Sequence, residues 1–243
     1  MKNVNYRFTI GLVLIMTLLS CENNNTRVIP SNNVTSQFMD ITGYTALVLN
    51  TAFEAEIYFS DTELPIEIVA NDNLHQYVEI VKTSDELRVE LQKNVNISGP
   101  AQLKVILTTG YLKAYTANGA SVISLMDTLM ADDVTINLSG ASKMDGAMVV
   151  QNLSADLQDA SSLDLSGETT YLGLTASGAS RVSGFLFSCL NLDADLSGAS
   201  EVELTVNEKI NITASGASIL SYKGDGAIES QNLKNASMIV KVD

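Results

Sequence analysis

Six acidic residues in the second half of this 243-residue chain are the side chains best placed to carry out chemistry. They occupy polar positions in short alternating segments: Asp156, Asp164, Asp193, Asp195, Glu201 and Glu203. If these segments stack, their carboxylates could coordinate Ca²⁺, which takes several oxygen ligands, or serve as the acid and base of a glycan-cleaving enzyme. The basic residues around them are few and scattered, at Lys143, Arg181, Lys209 and Lys223. A solvated acidic face is therefore the simpler interpretation.

The other reactive residue types are too isolated to form a site. His75 is the only histidine and lies in a polar turn, NDNLHQYVE, so a transition-metal site is not expected. Cys189 lies in the apolar run GFLFSCLNL and is expected to behave as a small buried hydrophobe. The G-x-S-x-G, P-loop and H-E-x-x-H motifs are absent. We therefore predict no enzymatic activity, no catalytic residue, no metal and no cofactor.

The first twenty residues are typical of a bacterial lipoprotein signal peptide. Lys2 and Arg7 precede an apolar stretch, 9–19, that is too short to span a bilayer comfortably. The sequence Leu-Leu-Ser-Cys that follows resembles a lipobox, which predicts cleavage after residue 20 and acylation of Cys21. Residues 21–40 are polar and rich in Asn, which predicts a flexible tether between the lipid and the fold.

The composition limits the partners of the protein. With 14 basic and 28 acidic residues, the net charge is −14, which disfavours binding to nucleic acid. The predicted partners are therefore the membrane, through the N-terminal lipid, and a glycan or an envelope protein. The predicted location is the bacterial cell envelope, anchored to the outer membrane on its periplasmic or surface-exposed side.

A short motif recurs seven times and indicates a repeat architecture. Its last residues are Ser121, Ser142, Ser161, Ser180, Ser200, Ser218 and Ser237, at spacings of 18–21 residues. Two positions before each Ser stand Gly119, Gly140, Asp159, Gly178, Gly198, Gly216 and Asn235. Gly, Asp and Asn tolerate a positive φ angle most readily, so this column predicts one turn per repeat. Because Asp159 and Asn235 carry side chains, the turn does not require a glycine at every position. Ala precedes Ser in every copy, and we expect it to fit where the coil narrows.

The segments around each turn alternate between apolar and polar residues. In VTINLSGAS, for example, Val134, Ile136 and Leu138 share one face, as expected of a half-buried strand. One repeat cannot bury its own apolar face, so the repeats must stack. We predict an all-β fold, a single-stranded parallel β-helix of about 19–20 residues per coil. Its repeated coils would occupy residues 111–243, and residues 41–110 would form less regular strands and a cap.

The opening strands, the segment IEIVANDNLHQYVEIVKTSDELRVEL and the S-G-A-S coils together resemble the head-GIN domain family over about residues 38–243. This family is described as autotransporter-adhesin-like and is common among lipoproteins of Bacteroidetes-type bacteria. The resemblance implies a right-handed β-helix in an envelope protein and supplies no catalytic residues.

Three functions remain open on these grounds. The first is a lipid-anchored, non-enzymatic module that binds a glycan or a protein. The second is a polysaccharide lyase or hydrolase acting from a carboxylate-lined face, and the third is a structural scaffold lipoprotein.

Overall fold

The computed structural model describes residues 26–243, so the predicted signal peptide and Cys21 lie outside the described residues. The described part contains twenty strands, a short 3₁₀ turn at His75–Tyr77 and no α-helix. The first nine strands are β1 (Thr26–Val28), β2 (Val34–Met39), β3 (Ala46–Leu49), β4 (Glu54–Phe59), β5 (Ile66–Asn71), β6 (Val78–Thr83), β7 (Glu86–Leu91), β8 (Val95–Ile97) and β9 (Leu103–Thr109). The remaining strands are β10 (Ala114–Ala117), β11 (Val122–Leu125), β12 (Leu129–Leu138), β13 (Lys143–Leu157), β14 (Ser162–Ala176), β15 (Arg181–Ser183), β16 (Phe187–Leu196), β17 (Glu201–Ala214), β18 (Ile219–Lys223), β19 (Ala227–Leu233) and β20 (Met238–Lys241).

Each repeat forms one coil of a parallel solenoid because its strands pair in register with those of the adjacent coils. Leu138 lies beside Leu157, which lies beside Ala176, and the same column continues through later coils. About seven turns stack in this way, which confirms the predicted all-β parallel β-helix with less regular N-terminal strands.

Three rows of strand segments make up the coils. The front face is built from the segments just before each S-G-A-S corner: 133–138, 152–157, 171–176, 191–196, 209–214 and 227–233. The ion-pair face is built from those just after it: 143–145, 162–164, 181–183, 201–203 and 219–221. A third row, 129–131, 148–150, 167–169 and 187–189, completes each coil. The inward apolar side chains of the three rows form one continuous core.

The corners of successive coils lie in a row along one edge of the solenoid. All seven residues of the turn column have a positive φ, from 58° at Asn235 to 78° at Gly119. Each corner also bonds to the one before it, as when the Ala199 N–H donates to the Gly178 carbonyl at 2.7 Å. A Cβ added to Gly198 would lie 2.5 Å from that same carbonyl oxygen.

The corner therefore imposes two requirements at most glycine positions, whereas the sequence indicated only one. At Gly140, Gly178, Gly198 and Gly216 an added Cβ would come within 2.7 Å of the preceding corner, so a bare α-carbon is needed as well as a positive φ. At Asp159 the side chain is accommodated, and its Oδ2 accepts a hydrogen bond from the Gly140 N–H at 3.1 Å.

The Ala and Ser of each corner lie on the sides opposite to those expected from their polarity. All seven Ser residues of the motif are buried, whereas Ala141, Ala179 and their five equivalents are exposed. The expectation that Ala fills the narrow part of the coil was therefore wrong. Strand alternation explains the arrangement, because Ser142 lies two positions before the inward Met144 and so points inward as well.

The N-terminal coils do not follow the order of the chain. On one side, β3 lies between β7 and β10, and on the next side β4 lies between β9 and β11. The coil that contains β7 and β9 therefore sits beneath the coil of β3 and β4, although it comes later in the sequence. Antiparallel pairs of β2 with β5 and of β6 with β7 cover this end of the solenoid.

Part of the segment predicted to be a flexible tether belongs to the fold. Within residues 21–40, β1 pairs with β8 and β2 pairs with β5. The link between β1 and β2 is held by the buried Asn71, whose Nδ2 donates to the Ser31 carbonyl at 2.7 Å. Asn71 Oδ1 accepts from the Gln102 N–H, also at 2.7 Å. Two polar side chains of the segment, Ser31 and Asn33, also donate hydrogen bonds to the Asp72 carboxylate.

Candidate ligand-binding groove on the front face

The solenoid divides the six candidate carboxylates between two faces. Asp156, Asp193 and Asp195 lie on the front face. The other three, Asp164, Glu201 and Glu203, lie on the ion-pair face. Within residues 26–243, no group of three or more His, Cys, Asp or Glu side chains is arranged to hold a metal ion. The acidic residues therefore do not form one combined site.

On the ion-pair face, two basic side chains lie beside three of the four carboxylates. The Arg181 guanidinium lies 2.6 Å from Glu201 and 3.6 Å from Glu203, and Lys143 Nζ lies 3.5 Å from Asp145. The stacking of coils brings Arg181 beside Glu201 and Glu203, whereas Lys143 and Asp145 are two positions apart on β13. Because these contacts partly offset their charges, Asp145, Glu201 and Glu203 are less available to a ligand.

The front face contains a shallow groove of about 380 Å³. It forms where the outward side chains are small and one is missing altogether, at Gly173. The side chains that line it are polar: Ser154, Thr175, Asp193, Asp195, Asn211, Thr213 and Ser230. The floor is the backbone of the strands, so a ligand would lie along a flat sheet rather than inside an enclosed cavity.

Two carboxylates give the groove its chemistry. Asp193 and Asp195 occupy alternate positions of β16 and therefore point to the same side. Asp193 Oδ1 accepts a hydrogen bond from Asn211 Nδ2 at 2.8 Å. Asp195 lies between Thr175 and Thr213 in the stack, and no side chain in the described part of the chain donates a hydrogen bond to it. The Asp195 carboxylate is therefore free to accept hydrogen bonds from a ligand.

An exposed aromatic ring borders the groove. Tyr171 is 54% exposed and lies two positions before Gly173, on the same side of β14. Asn152 and Asn191 flank it in the adjacent coils. Gly173, the next outward residue of β14, places no side chain beside Tyr171. Sequence reasoning missed Tyr171 and Gly173, although a Tyr followed two positions later by Gly breaks the pattern of polar residues in this row.

The remaining reactive groups do not contribute to a site. His75 Nε2 lies 3.1 Å from the Oγ1 and from the carbonyl oxygen of Thr35, in the N-terminal cap. Cys189 is buried in the core, and burial raises the pKa of its thiol to about 12, so it stays protonated and is a poor nucleophile. The serines of the motif face the core and cannot reach a substrate in solution.

The fold is shared with several solved proteins. A "putative adhesin" from Bacteroides fragilis matches with a TM-score of 0.80 and 16% identity, over 88% of this chain and 100% of its own. A "putative lipid binding protein" from Parabacteroides distasonis matches with a TM-score of 0.73 and 16% identity, over 90% of this chain and 100% of its own. A "putative adhesin" from Parabacteroides merdae matches with a TM-score of 0.67 and 18% identity, again over 90% of this chain and 100% of its own. At these identities the similarity establishes the fold alone.

Among curated proteins, no sequence matches this chain significantly. Residues 26–243 contain no helix with the length and apolar character needed to cross a bilayer. A family model does match, over residues 43–226, and it is described as "Putative auto-transporter adhesin, head GIN domain". This match covers most of the solenoid, including all of the front-face groove except Ser230, and the chain therefore belongs to the head GIN domain family of adhesin-like proteins.

Proposed function

We propose that this protein is a lipid-anchored protein of the cell envelope that binds a glycan in the front-face groove and does not cleave it. The observation that carries the proposal is an exposed aromatic side chain, Tyr171, two positions from Gly173 at the border of a groove that contains the carboxylates of Asp193 and Asp195 in the adjacent coil. Membership of an adhesin-like family supports a role at the cell surface or in the envelope.

The groove has the two kinds of group that a sugar requires. Carboxylate and amide oxygens accept hydrogen bonds from hydroxyl groups, and those accepted by a carboxylate are the stronger. The flat, partly apolar ring of Tyr171 can cover the C–H face of a sugar ring while its hydroxyl stays in water. A glycan laid along the stacked coils would meet the same types of group at each strand spacing, about 4.8 Å.

The charge of the front face selects among glycans. Asp133, Asp156, Asp193 and Asp195 all lie on this face, whereas Lys209 is paired with Glu229 at 3.0 Å. A negative surface repels uronic-acid or sulfated chains and attracts cationic groups. The proposed ligand is therefore a neutral or amino-sugar-containing glycan.

The openness of the groove favours binding over cleavage. A carboxylic acid that donates a proton near pH 7 usually sits in an apolar pocket that excludes water. Asp193 and Asp195 are instead exposed on a flat polar surface. The glycan-cleaving alternative lacks an enclosed site among residues 26–243, and no observation favours the scaffold alternative over glycan binding.

The test is a screen of the purified protein against neutral, amino-sugar and acidic oligosaccharides, followed by titration calorimetry. We expect Tyr171→Ala to weaken binding about tenfold, which corresponds to about 1.4 kcal/mol. The matched control is Tyr111→Ala, which removes a ring of similar exposure (52%) outside the front face and should leave affinity unchanged. Equal losses in both variants, or no binding of any glycan, would refute the proposal. The appearance of new reducing ends on an incubated oligosaccharide would show that the protein cleaves glycans instead of only binding them.

A further inference from the structure

A second cavity lies at the opposite end of the solenoid and differs from the groove in chemistry. Its volume is about 440 Å³, and it lies between β8 and the corners of the first coils. Its apolar lining includes Leu91, Val95, Ile97, Leu103, Ala52 and Ala120. Among residues 26–243, no Asp, Glu, Lys, Arg or His lines it. An uncharged, apolar occupant of the size that protein pockets commonly hold is therefore expected.

The strands around this cavity link it to the N-terminus of the described chain. β8 forms a separate two-stranded sheet with β1, in which Thr26 pairs with Val95. The Thr26 N–H donates to the Asn94 carbonyl at 2.8 Å, and the Ser98 N–H donates to the Val28 carbonyl at 2.9 Å. The chain thus enters the fold along a strand that forms one wall of the cavity.

The lipid predicted on Cys21 is a candidate occupant of this cavity. Cys21 lies five residues before Thr26, and five extended residues reach at most about 18 Å. A lipid attached to Cys21 would therefore begin within that distance of Thr26, whose partner Val95 lines the cavity. An acyl chain has the apolar, uncharged character that the lining demands.

We propose that the cavity seats one acyl chain of the lipid attached to Cys21. This rests on the lipid anchoring in the proposed function and adds a protein-bound position for part of the anchor. The remaining acyl chains hold the protein to the bilayer, and the seated chain places the β1–β8 end of the solenoid against the membrane surface. The front-face groove, whose walls begin several coils away, then projects from the surface.

The experiment uses the full-length protein in cells fed a fatty acid that carries a photoactivatable diazirine. After irradiation, peptides are mapped by mass spectrometry. We expect cross-links to concentrate in residues 91–103. Ala120→Trp, which fills the mouth of the cavity, should reduce them at least fivefold. The matched control is Ala141→Trp, the equivalent exposed corner residue of the next coil, which does not line the cavity and should leave them unchanged.

The outcomes separate this inference from the proposed function. If the N-terminal peptide carries the probe but cross-links are absent from residues 91–103, or are equal in the two Trp variants, the seat is refuted and the lipid anchor stands. If Cys21 carries no probe, both the seat and the anchor are refuted, whereas glycan binding by the groove is measured independently.

Discussion

Two glycines on the same coil, Gly178 and Gly173, have different structural roles. Gly178 has a φ of 76°, and an added Cβ would lie 2.5 Å from the Asp159 carbonyl oxygen. Gly173, five residues earlier, has no positive φ, and its nearest potential contact is the Leu153 carbonyl oxygen at 4.0 Å. The first glycine is required by the backbone, whereas the second leaves space on the surface.

Gly198→Ala should destabilise the protein by roughly 3 kcal/mol, because a strained left-handed residue and a collision with the Gly178 carbonyl add together. Urea unfolding followed by circular dichroism measures the change. Asp159→Asn, which keeps a residue tolerant of positive φ at another corner, should cost less than about 1 kcal/mol. A loss of the same size in both variants would contradict this account of the corners.

Gly173→Thr should leave the stability of the protein nearly unchanged and weaken glycan binding. Because an added Cβ would lie no closer than 4.0 Å to another atom and would point to the exposed side of the strand, the free energy of unfolding should stay within about 0.5 kcal/mol of the parent value. Glycan affinity should fall at least tenfold, because the threonine fills the floor of the groove beside Tyr171. Ser183→Thr on the ion-pair face is the matched control for calorimetry. Unchanged glycan affinity in Gly173→Thr would show that the ligand does not use the groove.

The inward serines divide into two groups that mutation should separate. The Oγ atoms of Ser161, Ser180 and Ser200 are buried and have no hydrogen-bond partner within residues 26–243. Ser218 Oγ, in contrast, donates to the Ser215 carbonyl at 2.9 Å. Removing a buried hydroxyl that has no partner relieves a desolvation penalty, whereas removing a bonded one loses the bond.

Ser200→Ala should therefore be neutral or stabilising, by up to about 1 kcal/mol, and Ser218→Ala should be destabilising by about 1 kcal/mol. Paired urea titrations of the two variants measure the difference. Equal destabilisation would mean that the hydroxyls of the central coils have partners after all.

At the scale of elements, the N-terminal strands depend on a few polar anchors. Asp72 accepts hydrogen bonds from Ser31 and Asn33, and its backbone N–H donates to the Asn33 carbonyl. The Ser31 bond is the main reason that the pKa of Asp72 lies below its ordinary value of 3.8, and the Asn33 bond acts in the same direction. These contacts connect the β1–β2 link to the solenoid.

Because the pKa of Asp72 is lowered by folding, its contribution is complete above the unfolded value of about 4 and disappears as the pH falls through the folded value. We expect residues 29–35 to lose hydrogen-exchange protection, corrected for intrinsic rates, when the pH falls below about 4. Asp72→Asn should remove this pH dependence, whereas the surface variant Asp225→Asn should keep it. An unchanged profile in Asp72→Asn would assign the acid sensitivity to other groups.

At the scale of the whole molecule, each coil is stabilised by its two neighbours. The central strands β13 and β14 pair along almost their whole lengths, whereas every residue of β19 is exposed and β20 pairs only with β18. In such a one-dimensional stack, stability is approximately a sum of contacts between adjacent coils, so the coils with fewer partners open more readily.

Hydrogen exchange should therefore form a gradient. Residues 227–241 should exchange at least tenfold faster than residues 144–176, and the antiparallel strands that cover the other end should keep β3 and β4 protected. Mass spectrometry of peptides from the native protein measures this. Equal protection in the last coils and the centre would indicate that the solenoid opens as a single cooperative unit.

The sequence by itself determined the coil. A residue that adopts a positive φ every 18–21 positions and the alternation of Val134, Ile136 and Leu138 are local properties, set by backbone sterics and by one buried face. The same alternation, followed from Met144 back to Ser142, also predicts that the Ser of each corner points inward and the Ala outward. The polarity of the two side chains suggests the reverse.

Only the tertiary structure decided which side chains meet. The pairing of Arg181 with Glu201, the position of Gly173 beside Asp193, and the insertion of the β7–β9 coil beneath β3–β4 depend on the register between segments about 20 to 50 residues apart. That register is set by the stacking of backbones and the packing of the shared core, which act between distant parts of the chain and leave no local pattern in the residues they bring together.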